Sequence, residues 1–376
     1  MHYQISNMDV EVFIKRLKRL RDLMKEKNIG SFFVSHPANR RYLSGFKVED
    51  PQVGETAGVL LISQEKSFLF TDPRYADLAI KEAKGWEICV YHLNLFEEIE
   101  KVLKEMPPPL GFEANHLNYK FYQRLKEIYQ NEIVPTENLI ESLRQIKEKE
   151  EIDAIKKALS MTEEIFLNLK DFLKPGLIEK EVAWWIEEKI RLKYKAELSF
   201  PPIVASGENS AIPHAVPTER KIRENEPIII DFGLRWEGYC ADMTRTFYLS
   251  EPDEKFKKIY ETVFEAQKRA LNGIKAGLKT DEADALARDF FKEKGLEEAF
   301  KHSLGHGVGI LVHERPALSP RKPALTLKRN MVVTIEPGLY FSEWGGVRIE
   351  DMVVIEENGC ERLNKTSNEL KDWVIK

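Results

Sequence analysis

Apolar residues recur at helical spacing across residues 9–28, where Val10, Phe13, Ile14, Leu17, Leu20 and Met24 fall along one side. Asn28 and Gly30 mark the end of that helix. The short runs "SFFV", "GVLLI", "SFLF" and "EICVY" then read as strands, with "PRYADLAIKEA" and "NLFEEIEKVLKEM" as helices between them. This alternation predicts an α/β domain. Pro107–Pro109 inserts a loop, "KFYQRLKEIYQ" predicts a further helix, and "NEIVPTENLI" leads out of the domain. The pattern therefore divides the chain into a first domain over 1–138 and a second over 139–376. The second opens on a long charged helix, "KEKEEIDAIKKALSMTEEIFLNL", with Ile152, Ile155, Leu159 and Ile165 roughly on one face and Pro175–Gly176 ending it. A helix over 178–194 turns Val182, Trp185, Ile186 and Ile190 inward. Helices over 253–275 and 280–294 follow, then strands over 331–341 and 347–356. Apolar stripes of this width are core faces.

Composition narrows the class of protein. Lys and Arg number 57 and Asp and Glu 62, a net charge of −5 over 376 residues, which argues against nucleic-acid binding driven by bulk charge. Cys89, Cys240 and Cys360 form no CxxC pair and leave an odd count, the usage expected of a reducing cytoplasm. The opening "MHYQISNMDVEVF" is not of signal-peptide type, and no run reaches about 18 apolar residues. The expectation is a cytoplasmic protein without a membrane or nucleic-acid partner.

A faint internal repeat changes the picture. His214 opens "HAVP" and His313 opens "HERP". Asn225 precedes Asp231 by six residues in "NEPIIIDFGL", and Asn330 precedes Glu336 by six in "NMVVTIEPGL". Each acid is followed two residues later by Gly and then Leu, and each half carries a second acid beyond a turn, Asp242 and Glu350. The stretches "PGLIEKEV" and "AGLKTDEA" read as equivalent helix entries. A duplicated scaffold explains the glycines. It does not explain four carboxylates at equivalent apolar strand positions, where an unpaired charge is costly.

If the first hairpin pivots between Trp236 and Glu237, Asp231 faces Asp242; a bulge at Gly238 shifts that register by one. Opposed residues in an antiparallel pair stand about 4.5–5.5 Å apart at Cβ. Two carboxylates that close repel unless one is protonated or a cation lies between them. Glu336 and Glu350 supply a second pair. His306, in "HSLGHGVGILVH", supplies an imidazole, and Gly305, Gly307 and Gly309 let its backbone come close to a ligand. Four carboxylates and one imidazole suit paired Mn²⁺, Co²⁺ or Fe²⁺ better than a thiolate-bound structural zinc. Such a pair, about 3.5–4 Å apart, acidifies water and polarises a carbonyl.

In this order Asp231, Asp242, His306, Glu336 and Glu350 resemble the dinuclear metal signature of the pita-bread metallopeptidases. "SLGHGVGILVHERP" and "TIEPGLYF…GVRIEDMVVI" resemble the Xaa-Pro branch nearly residue for residue. "NRRYLSGF" and "TDPRY" resemble its N-terminal domain, and "LRQIKEKEEIDAIKKA" the junction. The resemblance implies an α/β (α+β) fold class: a creatinase-like α/β domain that closes the cleft and makes dimer contacts, then a pseudo-twofold pita-bread catalytic domain. It implies two divalent ions per subunit, Mn²⁺ or Co²⁺ ahead of Fe²⁺ or Zn²⁺. Asp231 would bind one ion, Asp242 and Glu350 would bridge both, and His306 and Glu336 would bind the second. Glu336 would be the general base. His214 and His313 would act in catalysis and substrate binding, His313 at the oxyanion. Arg348, with Tyr340 nearby, would touch substrate or fix Glu350.

The implied partners are proline-containing di- or oligopeptides and a second copy of the chain in a homodimer. An Xaa-Pro bond has no N–H and a fixed φ, so a site that grips the amino end and the carbonyl suits it. An Xaa-Pro dipeptidase (prolidase) is favoured over an aminopeptidase P acting on longer peptides. Arg315 and Arg321, after His313, are candidates for a substrate carboxylate. A methionine aminopeptidase would lack the first domain, a creatinase-like enzyme would lack the metal set, and a non-catalytic peptide-binding scaffold would have no use for the intact ligands.

Overall fold

The computed structural model describes residues 10–52 and 54–376 and divides the chain after Arg144 into two units. Residues 1–9 of the opening stretch, with residue 9 of the first expected helix among them, lie outside the described residues. No helix among those described is long and apolar enough to cross a membrane.

The first unit runs α1 (Val10–Glu26), β1 (Ser31–Val34), α2 (Pro37–Ser44), β2 (Val59–Ser63), β3 (Ser67–Thr71) and α3 (Ala76–Glu82). It continues with β4 (Glu87–Val90), α4 (Leu95–Leu103), β5 (Leu110–Glu113), α5 (Tyr119–Ile128), β6 (Ile133–Thr136) and α6 (Leu139–Arg144). The strands form one mixed sheet in the order β4-β3-β2-β1-β5-β6. β1 and β2 are buried throughout, which is why they read as unbroken apolar runs. Alternate residues Phe33, Leu61, Phe68 and Phe70 cover one face and pack against Ile99, Leu103 and Leu125 of α4 and α5. The inward stripe of α1 is Val12, Arg16, Leu20 and Met24, whereas Ile14 is 59% exposed. Arg16 takes a core position because its guanidinium lies 4.1 Å from the Tyr42 ring centroid and donates to the Tyr42 carbonyl at 3.0 Å. The sequence places the division at 138; the structure places it after α6, which packs on α1 and α2 and whose Arg144 donates to Asn39 Oδ1 at 2.7 Å.

The second unit begins with α7 (Lys149–Phe172), α8 (Glu179–Glu188), β7 (Glu197–Leu198), β8 (Ile203–Ser206), β9 (Pro227–Asp231), β10 (Leu234–Trp236), β11 (Tyr239–Cys240) and β12 (Thr244–Leu249). Then come α9 (Glu254–Gly273), α10 (Thr280–Glu293), β13 (Gly305–Gly307), β14 (Glu314–Leu318), β15 (Val332–Ile335) and β16 (Gly338–Phe341). β17 (Gly345–Arg348), β18 (Asp351–Glu356), β19 (Gly359–Arg362) and β20 (Val374–Ile375) complete it. The two main sheets are ordered β20-β12-β9-β8 and β14-β13-β15-β18-β19. Each half thus has a helix pair and a sheet containing three antiparallel neighbours, β8-β9-β12 in the first and β13-β15-β18 in the second.

The repeat extends to single hydrogen bonds. Gly176 (φ 96°) donates to Ile222 O as Gly277 (φ 88°) donates to Leu327 O. Asn225 (φ 62°) donates to Leu249 O as Asn330 (φ 66°) donates to Ile355 O. Both asparagines hold the left-handed turn that starts the acid-bearing strand, a conformation Asn tolerates better than most residues.

Candidate metal centre

Asp231 ends β9 and is 8% exposed. Phe232 behind it stacks on Phe166 of α7 at 4.3 Å, fixing the strand end. The partner across the hairpin is Thr244, not Asp242. Glu237 and Gly238 both have positive φ (49° and 85°), so the turn is a two-residue type I′ turn centred one residue later than expected. That moves the pairing to Trp236↔Tyr239 and Arg235↔Cys240 and leaves Asp242 two positions from the residue opposite Asp231. The period of two keeps it on the same face.

In the second hairpin the expected strand over 331–341 breaks after Ile335, because Pro337 has no N–H for the ladder. Ile335↔Asp351 and Gly338↔Arg348 keep one register across the break, and this register sets Glu336 opposite Glu350. His306 sits mid-strand in β13. A Cβ on Gly305 would lie 2.0 Å from Thr334 O, and one on Gly307 2.4 Å from Arg315 O. These two glycines admit the neighbouring strands, not a ligand.

Ligating atoms of Asp242, His306 and Glu350 all lie within 4.8 Å of one another. Asp242 is 4% and Glu350 1% exposed. His306 Nε2 stands 3.5 Å from Asp242 Oδ2 and 3.4 Å from Glu336 Oε1. Its Nδ1 lies 3.1 Å from Gly307 O, an acceptor only, so Nδ1 carries the hydrogen. Burial, then His313, pushes the His306 pKa down to about 4, so the ring is neutral and its Nε2 lone pair faces two carboxylates. That contact is repulsive unless a cation or a carboxyl proton sits between them. Asp231 Oδ1 is buried with no hydrogen-bond partner. Both observations fit a bound divalent ion.

Two threonines hold the glutamates: Thr244 Oγ1 donates to Glu350 Oε2 at 2.7 Å, and Thr334 Oγ1 to Glu336 Oε1 at 3.0 Å. Burial raises the carboxyl pKa of all four acids, and neighbouring carboxylates add to it at Asp242, Glu336 and Glu350, Glu336 reaching about 8.

Arg348, expected to touch substrate or Glu350, is 3% exposed and committed elsewhere. It donates to Asp231 Oδ2 at 2.7 Å, Thr244 Oγ1 at 3.0 Å, Tyr340 Oη at 2.8 Å and Pro213 O at 3.1 Å. It thus stands behind Asp231, and only Thr244 links it to Glu350. His214 and His313 are exposed. The His313 ring lies 4.3 Å from that of His306, edge to face, and His214 is near enough for its charge to bear on Asp231, His306 and His313.

Sequence reasoning missed Thr244, Thr334 and His302. His302 is held neutral by burial, its pKa pushed to about 3, and its Nε2 accepts from Tyr340 Oη at 2.8 Å. Its signal was the spacing, four residues before His306 in one motif.

Residues 153–357 match the model of metallopeptidase family M24, and residues 16–146 match the creatinase/prolidase N-terminal domain. The Xaa-Pro dipeptidase of Pyrococcus furiosus is 37% identical over 357 residues, 95% of this chain and 99% of that one. The solved structure of a Xaa-Pro dipeptidase from Bacillus anthracis matches with a TM-score of 0.89 at 39% identity, covering 96% of this chain and 100% of that one. An X-Pro aminopeptidase from Thermotoga maritima matches with a TM-score of 0.86 at 34% identity, covering 96% and 99%. The carboxylate-rich centre lies wholly within the first of these family matches, and the second takes in the mixed sheet before it: the chain belongs to metallopeptidase family M24, an enzyme that joins a creatinase/prolidase N-terminal domain to a pita-bread domain.

Proposed function

We propose that the chain is a dinuclear-metal-dependent Xaa-Pro dipeptidase. The observation that carries this is the neutral His306 imidazole turned, lone pair first, toward Asp242 and Glu336 in a ring of carboxylates of which Asp231, Asp242 and Glu350 are buried and Glu336 half-buried. Asp231, Asp242, His306, Glu336 and Glu350 are the residues that would hold the ions. Oxygen-rich donors favour Mn²⁺ or Co²⁺. Bound ions supply an acidified water and polarise the scissile carbonyl near neutral pH. Glu336 takes the proton of the attacking water and returns it to the prolyl nitrogen as the C–N bond breaks. His313, its ring set edge to face on that of His306, donates its ring N–H to the carbonyl oxygen as charge develops there. His214, on the exposed side, holds the peptide. Arg348 keeps Asp231 ionised and oriented, and Tyr340 and His302 hold the guanidinium in turn.

The proline requirement follows from a site that reads the amino end and the carbonyl, since the scissile amide offers no N–H. The relatives carry both dipeptidase and aminopeptidase names, so the test is hydrolysis of Leu-Pro beside Leu-Pro-Gly, on chelator-stripped protein with Mn²⁺ or Co²⁺ restored. The expected outcome is metal-dependent cleavage of the dipeptide. Preferential cleavage of the tripeptide would instead make the chain an aminopeptidase P. His313→Ala should fold, keep its metal and lose on the order of 100-fold in kcat, the scale of one oxyanion donor. Wild-type turnover in that variant removes His313 from the mechanism.

A further inference from the structure

The loop that carries His214 leaves β8 at Ser206 and returns at Thr218. Its apex has little packing to hold it: Ile212 is 57% and Val216 77% exposed, and His214 between them is exposed as well. The small Ala211 and Ala215 are buried there, so apolar burial holds the apex only weakly. Its roots, by contrast, converge on one carboxylate. Glu179, fully buried, accepts from Ser206 N at 2.7 Å and Ser206 Oγ at 2.9 Å on the outgoing side. It accepts from Thr218 N at 2.9 Å and Thr218 Oγ1 at 2.6 Å on the returning side. Asn209 Nδ2 lies 3.1–3.2 Å from both of its oxygens.

Capping α8 does not account for this arrangement. The free N–H of Ile178 is already met by Glu181 at 2.9 Å, leaving the Glu179 side chain to the loop alone. Farther along, Pro213 O, one residue before His214, accepts from Arg348, which also holds Asp231. The loop is therefore fastened at its roots by Glu179 and near its apex by the guanidinium that holds one of the centre's acids.

We propose that Glu179 is the positioning residue for His214: it draws the two roots of the loop together on one carboxylate and so sets where the imidazole stands beside the carboxylate centre. This rests on the reading of His214 as a substrate contact. Glutamine cannot substitute, because its amide would turn an N–H toward the N–H groups of Ser206 or Thr218, and alanine leaves those donors unmet.

The test uses full-length Mn²⁺-loaded protein carrying Glu179→Gln or Glu179→Ala, with Leu-Pro as substrate. Amide exchange should quicken within residues 207–218 and stay at the wild-type rate in β9, β12, β15 and β18. Metal content should match wild type. kcat/KM should fall on the order of 10- to 100-fold, the scale of a misplaced contact. In a His214→Ala background the same substitutions should cost almost nothing further, which a merely structural role would not produce. Unchanged exchange in the loop, or an equal loss in the His214→Ala background, overturns the proposal. Wild-type turnover in His214→Ala overturns it too, while leaving the peptidase reading intact. Failure of the wild-type protein to cleave any Xaa-Pro peptide defeats that reading instead, and shows as lost activity with the exchange pattern still as expected.

Discussion

Asp242→Ala and Glu350→Ala should each abolish hydrolysis and bring the metal content below two ions per chain. Their ligating atoms belong, with His306, to the tightest group in the centre, all within 4.8 Å. Each is almost fully buried, so water has little room to replace a lost carboxylate. Removing an outer partner of a metal ligand already costs about 10- to 100-fold in affinity or activity, and loss of the ligand itself exceeds that. A second signature separates this from unfolding. Burial and three neighbouring acids disfavour the charged form of Asp242 in the absence of metal. Deleting it relieves repulsion, so metal-free Asp242→Ala should melt no lower than metal-free wild type. Activity and metal analysis, with thermal melts beside them, check both halves. A fully active, two-metal Asp242→Ala protein would sink the assignment of the centre.

What the sequence made legible was mostly local. The four acids stood in repeated strand contexts and His306 in a glycine-flanked run, and the two asparagines that open the strands share a left-handed φ. Three features were not local and stayed hidden. The first hairpin turns at Glu237–Gly238, a choice made by which two residues accept positive φ, and a shift of one position at the turn moves every pair by two. Arg16 occupies a core position only because Tyr42, 26 residues away, offers a ring and a carbonyl. Nearness in sequence places Arg348 with substrate or Glu350, yet its partners Asp231, Thr244 and Pro213 lie more than a hundred residues earlier. The helix over Pro37–Ser44 escaped notice because its signals are so brief: a cap at His36, a proline at the first turn and Gly45 at its end (φ 77°).

The same crowding of acids sets how metal-free protein responds to pH. Burial, with Asp231 adding to it, lifts the Glu336 carboxyl from 4.5 to about 8, and burial with neighbouring carboxylates lifts Asp242 and Glu350 in the same direction. Between those limits the folded chain holds protons that the unfolded chain has released, so stability falls as pH rises. Two buried histidines act oppositely at lower pH. His302 and His306 have pKa values of about 3 and 4 against 6.5 unfolded, so they add stability as pH climbs toward 6.5. The clean window is therefore pH 6.5 to 8. Across it Glu336 alone removes on the order of 2 kcal/mol from the metal-free protein while it remains protonated. Bound cations favour the ionised acids and remove that slope. Melts in chelator and in Mn²⁺ should diverge by several degrees as pH rises through this window, the loaded protein holding level. A metal-free melting temperature that stays parallel to the loaded one from pH 6.5 to 8 would mean that the four acids do not crowd one another as the geometry requires, and the cation site built from them would go with it.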